Sequence, residues 1–215
     1  YCEDELGNKS EVDDEKFKVE GTTFTIHLNK KWNLISVPFA LQDSNISVVF
    51  SSIINKVNSV WTYNAFTGQW KVYYPNSPET SNLTDIEPGT GYWVAMLNDA
   101  NLVLGGSEFN PPSTPDHKEL YTGWNMIGYY GTEGLSGYWG PQGNGKTAGC
   151  TLYSLGPSID DKGWTALLSY WEPYNPDQWS NEGGPWGSPK FEYGDNLDPG
   201  AGYWISVPEN ETYTF

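Results

Sequence analysis

Few side chains in this sequence have the types and spacing that catalysis requires. The two histidines, His27 and His117, belong to no HExxH motif, and the chain contains no GxSxG motif and no P-loop. The two cysteines, Cys2 and Cys150, form no CxxC pair that would indicate a metal or redox site. We therefore expect no enzymatic activity and assign no catalytic residue.

Carboxylates are abundant, and two kinds of site could use them. Asp160-Asp161 and Glu172 could act as a pair in glycoside hydrolysis. Asp160-Asp161 and the segment 195–198 also concentrate oxygen ligands that suit Ca²⁺, although neither follows the spacing of an EF-hand. Chance acidic pairs and Asx-rich turns are common in so acidic a chain. We expect no cofactor, with Ca²⁺ as the alternative and any metal ligands unassigned.

The charge of the chain excludes several classes of partner. Its 215 residues include 11 Lys and 27 Asp or Glu, for a net charge of −16, and no Arg. Nucleic acid is excluded because phosphate binding needs a basic surface. A membrane span is not expected, since no apolar run approaches about 20 residues. The chain begins at Tyr1, as a mature secreted protein does after cleavage, so we expect it outside the cell or at the cell surface.

The composition favours a β protein with many turns. Aromatic residues make up 16% of the chain, with 24 Gly and 15 Pro. Apolar and polar residues alternate from Phe24 to Leu28, which predicts a half-buried strand, and the loop 64–68 predicts a hairpin. Apolar residues recur at helical spacing within 46–54, after three candidate N-cap residues at 43–45.

The sequence contains an internal repeat. The segment Trp32-Asn33-Leu34-Ile35 returns 92 residues later as Trp124-Asn125-Met126-Ile127. The segment Pro88-Gly89-Thr90-Gly91-Tyr92-Trp93 returns 111 residues later as Pro199-Gly200-Ala201-Gly202-Tyr203-Trp204. The second copy is longer, and its additional residues fall in a Gly-rich loop within 131–156.

These opening and closing segments resemble a β-rich module found in tandem in archaeal and bacterial cell-surface and secreted proteins. The resemblance covers residues 24–104 and 117–215 and rests on structural residues. The second copy departs from the pattern at Gly128-Tyr129-Tyr130, where the first has Ser-Val-Pro. The resemblance implies architecture and location, and it assigns no active site.

We therefore predict an all-β protein built from two homologous small β-sandwich or barrel modules in tandem, the first with one short helix. The predicted organisation is an acidic N-terminal arm (1–22), a first module (23–106), a Pro-rich linker (107–116) and a second module (117–215).

The tryptophans divide into two groups. Those that recur in both copies are predicted to lie in the core: Trp32 with Trp124, Trp70 with Trp179, and Trp93 with Trp204. Those without a clear counterpart are the candidates for ligand or subunit contact: Trp139, Trp164, Trp171 and Trp186.

The acidic arm and the glycosylation sequons complete the set of candidate sites. Phe17 and Val19 alternate with charged residues, which predicts an edge strand added to this chain or to a neighbouring subunit. Cys2 and Cys150 are predicted to form a disulfide, either within one chain or between chains. Four sequons could carry glycans, at Asn8, Asn45, Asn82 and Asn210.

Together these features favour a non-enzymatic structural subunit of an extracellular assembly, such as a surface layer, filament or tube, whose partners are copies of itself. The alternative is a carbohydrate-binding or adhesive module that uses exposed tryptophans to bind glycans.

Overall fold

The computed structural model describes residues 22–107, 117–130, 146–147, 152–155, 163–169 and 196–214. It confirms the predicted all-β class, with antiparallel sheets and short helical turns. We refer to residues 22–107 as the N-terminal module and to the described residues from 117 onwards as the C-terminal module.

The N-terminal module contains seven strands. They are β1 (Thr22–Leu28), β2 (Lys31–Ser36), β3 (Ala40–Leu41), β4 (Val57–Asn64), β5 (Gln69–Tyr73), β6 (Gly91–Met96) and β7 (Ala100–Ser107). A four-stranded sheet has the order β2-β6-β4-β5, and a three-stranded sheet has the order β1-β7-β3. The β4–β5 pair is the predicted hairpin.

Helical turns connect strands in both modules. Helix α1 (Ile46–Val49) runs into a 3-10 helix (Ser51–Lys56), where the sequence predicts the short helix. Asn45 caps α1, because its side-chain oxygen accepts a hydrogen bond from the Ser47 N–H at 3.0 Å. Two further 3-10 turns occur at Pro78–Thr80 and Tyr153–Leu155.

The described strands of the C-terminal module repeat part of this arrangement. They are β8 (His117–Leu120), β9 (Gly123–Gly128), β10 (Lys146–Thr147), β11 (Ala166–Ser169), β12 (Asn196–Leu197), β13 (Gly202–Val207) and β14 (Glu211–Thr214). The sheet order is β11-β13-β9 in one sheet, with the pairs β14-β8 and β10-β12 beside it.

The strand registers of the two modules correspond at the offsets of the sequence repeat. Lys31 pairs with Met96 in the first module, and Gly123 pairs with Val207 in the second. Leu28 pairs with Ala100, and Leu120 pairs with Glu211. Lys31 and Leu28 therefore have their equivalents 92 residues later, at Gly123 and Leu120. Their partners Met96 and Ala100 have their equivalents 111 residues later, at Val207 and Glu211. These matches support the interpretation of the chain as two copies of one module.

Each module has its own hydrophobic core. Aliphatic and aromatic side chains from both sheets fill the N-terminal core, including Leu28, Val60, Val94 and Leu102, which are fully buried. Trp164, Leu167, Ile205 and other buried residues fill the C-terminal core. In the N-terminal module both sheets contribute apolar side chains to this one core, as the two sheets of a sandwich do.

The prediction that the recurrent tryptophans lie in the core is wrong for those that the structure describes. Trp32 and Trp124 are each 43% exposed and Trp70 is 44% exposed. Trp164, which has no counterpart in the first copy, is only 1% exposed, so the core holds a tryptophan that was a candidate for ligand contact. The reason is strand alternation: Tyr92 and Val94 point into the core, so Trp93 between them points outward.

Candidate functional site: the module interface, its aromatic face and a cleft

The outward faces of the two β-sheets that carry the recurrent tryptophans meet at the module interface. The Ser36 N–H donates to the Gly200 carbonyl oxygen at 2.9 Å, and the Gly128 N–H donates to the Gly89 carbonyl oxygen at 2.9 Å. Ser36 corresponds to Gly128, and Gly89 corresponds to Gly200, at the offsets of the repeat. The two bonds are therefore related by a local two-fold axis, as in a symmetric dimer.

Small residues permit the close approach of the two backbones. A Cβ atom on Gly128 would overlap the Ser36 side chain, which lies beside the local axis. A Cβ atom on Gly202 would lie 2.5 Å from the Ile35 carbonyl oxygen, a contact too short for a real side chain. The Ser36 hydroxyl donates to the Ala201 carbonyl oxygen at 2.7 Å and adds a third bond across the interface.

Aromatic side chains form a continuous row along these outward faces. We call this row the aromatic face; its members are Trp32, Trp61, Trp70, Trp93, Trp124 and Trp204. Trp32 packs edge-on against Trp93 with ring centroids 6.2 Å apart, and Trp124 packs in the same way against Trp204 at 6.3 Å. Trp70 contacts Trp204 at 5.8 Å and so joins the two modules.

The strand pairing explains why these rings are neighbours. Trp61 on β4 lies directly opposite Trp93 on β6, and Tyr63 on β4 lies opposite Trp70 on β5. Tyr63 also contacts Trp204, with ring centroids 5.8 Å apart. Aromatic cross-strand pairs contribute roughly 0.5–1.5 kcal/mol beyond their burial, so the row helps to hold the sheet and the interface together.

The aromatic face includes an open apolar groove. Its volume is about 460 Å³, and Trp32, Trp61, Trp70 and Trp93 line it. Indole rings carry a single hydrogen-bond donor each, and that of Trp61 is used within its own strand, where Nε1 donates to the Ser59 hydroxyl oxygen at 2.9 Å. The groove therefore offers flat apolar contact with few polar groups.

A second concave surface lies where the β4–β5 hairpin faces β8 and β9. We call it the inter-module cleft; its volume is about 410 Å³. Both modules line it, and its aromatic residues include Tyr63 and Phe66 from one module and Tyr121 from the other. Its charged groups are two ammonium groups and three carboxylates, on Lys71, Lys118, Asp85, Glu87 and Glu119.

Lys118 of the C-terminal module forms a hydrogen bond to the N-terminal module across this cleft. Its Nζ donates to the Thr90 hydroxyl oxygen at 2.7 Å. Burial lowers the pKa of the Lys118 ammonium below its usual value, and the nearby Glu87 carboxylate opposes that shift.

Neither histidine lines the inter-module cleft, although His117 lies beside Glu119 of its lining. His27 is exposed on β1, where its Nδ1 lies 2.8 Å from the Asn101 side-chain oxygen. His117 is exposed on β8, with its Nε2 3.8 Å from a Glu119 carboxylate oxygen. Among the residues that the structure describes, no three His, Cys, Asp or Glu side chains lie close enough together to hold a metal ion. No helix in the described part of the chain is long and apolar enough to cross a membrane.

Many candidate residues lie outside the described residues. This applies to the cysteines and the arm (Cys2, Cys150, Phe17, Val19), to Asn8, to Trp139, Trp171 and Trp186, and to the acidic candidates Asp160, Asp161, Glu172 and Asp195.

Three of the four sequon asparagines are described, and all three are exposed. Asn45 caps α1, Asn82 accepts a hydrogen bond from the Val72 N–H at 2.6 Å, and Asn210 accepts one from the Thr122 N–H at 3.0 Å. In each case the side-chain oxygen is the acceptor. These bonds therefore do not use the side-chain amide nitrogen, which is the atom that a glycan would modify.

Sequence reasoning missed both concave surfaces. The aromatic face had a partial signal in the sequence: Trp93 and Trp204 each alternate with two apolar residues that the structure buries, although alternation alone does not say which face is buried. The inter-module cleft had none, because residues far apart in the sequence line it. The chain matches no protein-family model, no curated protein and no solved structure.

Proposed function

We propose that this protein is a non-enzymatic structural subunit of an extracellular assembly, and that copies of it contact one another through the aromatic face. The observation that carries the proposal is the row of indoles that crosses both modules, of which Trp32, Trp70 and Trp124 are each at least 43% exposed. Contiguous exposed apolar surface marks interaction sites, and tryptophan is enriched at the energetic centres of protein interfaces.

A second copy of the chain is the partner that this surface favours. The two modules already associate through the sheet faces that carry the row, with paired hydrogen bonds and glycines at the contact. The same chemistry can bind another molecule, since Trp32 and Trp124 leave apolar area at the two ends of the row. Apolar area at both ends of the row allows each copy to contact two others, as a repeating assembly requires.

The charge of the chain sets a condition on assembly. Each copy carries a net charge of −16, so copies repel one another at low ionic strength. Added salt screens this repulsion over about 10 Å at 0.1 M, while apolar contact is not weakened. Assembly through the aromatic face should therefore strengthen as salt is raised.

The rival function, glycan binding by exposed tryptophans, fits the groove less well. Sugars need hydrogen-bonding groups beside the ring that stacks on them. The described lining of the groove consists of four indoles, and the indole N–H of Trp61 is already bonded to Ser59 within its own strand. An apolar protein surface is the better match.

Sedimentation velocity and electron microscopy of the full-length chain test the proposal. The wild-type chain should form larger, ordered species as concentration and salt rise, and the double variant Trp32→Ala/Trp124→Ala should need at least about tenfold more protein to do so. Val103→Ala is the matched control, because Val103 is 55% exposed on β7 and lies outside the aromatic face. A chain that stays monomeric at every salt concentration, or a double variant that assembles like the wild type, would contradict the proposal.

A further inference from the structure

The inter-module cleft has a chemistry that the proposed assembly does not use. It borders the aromatic face at Tyr63, which lines the cleft and also contacts Trp70 and Trp204, and its lining comes from both modules. A volume of about 410 Å³ falls within the range of small-ligand sites, and clefts between domains are a preferred location for them.

An aromatic pair at the cleft is the first element of a binding site. Phe66, in the loop of the β4–β5 hairpin, is 72% exposed. It lies against Tyr121 of the other module, with ring centroids 5.0 Å apart and the ring planes tilted by 44°. Most of the Phe66 ring remains open to solvent beside Tyr121, so the pair presents apolar ring surface against which a flat apolar face of a ligand can pack.

The polar lining is balanced between donors and acceptors. Lys71 and Lys118 provide ammonium donors, and Asp85, Glu87 and Glu119 provide carboxylate acceptors. An anionic ligand would meet three carboxylates in a chain of net charge −16, and a cationic ligand would meet two ammonium groups. A hydroxyl group both donates and accepts, so a ligand with several hydroxyls matches both sets at once.

We propose that the inter-module cleft binds a neutral saccharide, whose apolar ring face stacks on Phe66 and Tyr121 and whose hydroxyls bond to the charged groups of the lining. This inference goes beyond the proposed assembly and does not depend on it, because the two surfaces share neither the exposed tryptophans nor the Phe66–Tyr121 pair.

The two methionines of the chain provide a direct measurement. Met126 lines the cleft, where its sulfur accepts a hydrogen bond from the Tyr63 N–H at 3.3 Å. Met96 lies in the N-terminal core and serves as an internal control. The full-length chain is labelled with ¹³C-methyl methionine and titrated with methyl glycosides of neutral hexoses and N-acetylhexosamines. The same titration is repeated with two charged sugars, the anionic methyl glucuronide and the cationic glucosamine.

We expect a saturable shift of the Met126 methyl signal with at least one neutral glycoside and no shift of Met96. Phe66→Ala should weaken that binding at least tenfold, Tyr121→Phe should retain it, and Val103→Ala should leave it unchanged. No saturable shift with any neutral glycoside would overturn the proposal. So would tighter binding of a charged sugar, or wild-type affinity in Phe66→Ala. Sedimentation of the same samples reports assembly separately, so failure of either proposal can be distinguished from failure of the other.

Discussion

Lys31 holds a backbone conformation that side chains rarely adopt. Its φ is 86°, in the left-handed region, at the start of β2. The equivalent residue of the second module is Gly123, with φ 94°. Glycine adopts this region without the steric cost that a Cβ imposes, so the second copy has the residue type that the turn favours, and the first does not.

We predict that Lys31→Gly raises the free energy of unfolding by about 0.5–1 kcal/mol, because the relief of strain exceeds the entropic cost of glycine. Gly123→Ala should lower it by about 1 kcal/mol. Urea unfolding measures both, and the two changes should have opposite signs. Equal destabilisation by both variants would show that φ does not determine stability here.

Buried tyrosines make the protein sensitive to alkaline pH. Burial raises the pKa of Tyr129 to about 12, and it also raises the pKa of Tyr92, Tyr203 and Tyr213. Above pH 10 these groups ionise in the unfolded chain and resist ionisation in the folded one. The folded state then binds more protons, so stability falls as pH rises. The lowered pKa of Lys118 has the opposite effect on stability, but it concerns one group, whereas four tyrosines have a raised pKa.

We predict that the free energy of unfolding falls steeply between about pH 10 and 12, by up to about 1.4 kcal/mol per pH unit for each tyrosine. Urea midpoints measured across this range test the prediction. In Tyr92→Phe the slope should decrease, whatever the stability of that variant at neutral pH. A flat profile between about pH 10 and 12 would refute the assignment.

At the scale of elements, the interface depends on the close contact of β2 with β9 and β13. Gly128 ends β9 where the backbone of β2 passes, and its N–H bonds to the Gly89 carbonyl oxygen. A Cβ atom there would overlap the Ser36 Cβ atom, so we expect a side chain at this position to push the two backbones apart and weaken the paired hydrogen bonds.

We predict that Gly128→Ala lowers the free energy of unfolding by about 1–3 kcal/mol, the usual cost of overpacking. Gly105→Ala is the matched control, because a Cβ at Gly105 would meet no atom within 4 Å. Chemical denaturation of the two variants side by side gives the comparison. A similar loss in both would mean that the interface tolerates the added methyl group.

At the scale of the whole molecule, the interface couples two separate cores. Its hydrogen bonds and ring contacts would be lost if either module unfolded alone, so both modules should unfold in one cooperative transition. The Met96 methyl signal reports on the N-terminal core, and the Met126 methyl signal reports on the C-terminal side of the interface, where the Met126 sulfur accepts the hydrogen bond from Tyr63.

We predict that the two methyl signals of the wild-type chain disappear at the same urea concentration, and that Gly128→Ala separates their midpoints. Nuclear magnetic resonance of the ¹³C-methyl-labelled protein measures this directly. Distinct midpoints in the wild type would show that the interface contributes little to the coupling between the two modules.

The sequence alone determined the all-β class, the hairpin at β4–β5, the helical turn after Asn45 and the repeat with its two offsets. These features are local or periodic: turns follow from Gly and Asn, and strands follow from alternation. Repetition of both strand-forming segments also accounts for the matching registers of the two modules.

Only the tertiary structure decided which face of the tryptophan-bearing strands is buried. Strands such as β6 carry large apolar residues on both faces, with Tyr92 and Val94 on one and Trp93 on the other. Alternation therefore shows which residues share a face but does not show which of the two faces is buried. The interface and the inter-module cleft join residues distant in the chain, such as Ser36 with Ala201 and Phe66 with Tyr121. Such contacts depend on how two folded sheets pack, which no local pattern in the sequence specifies.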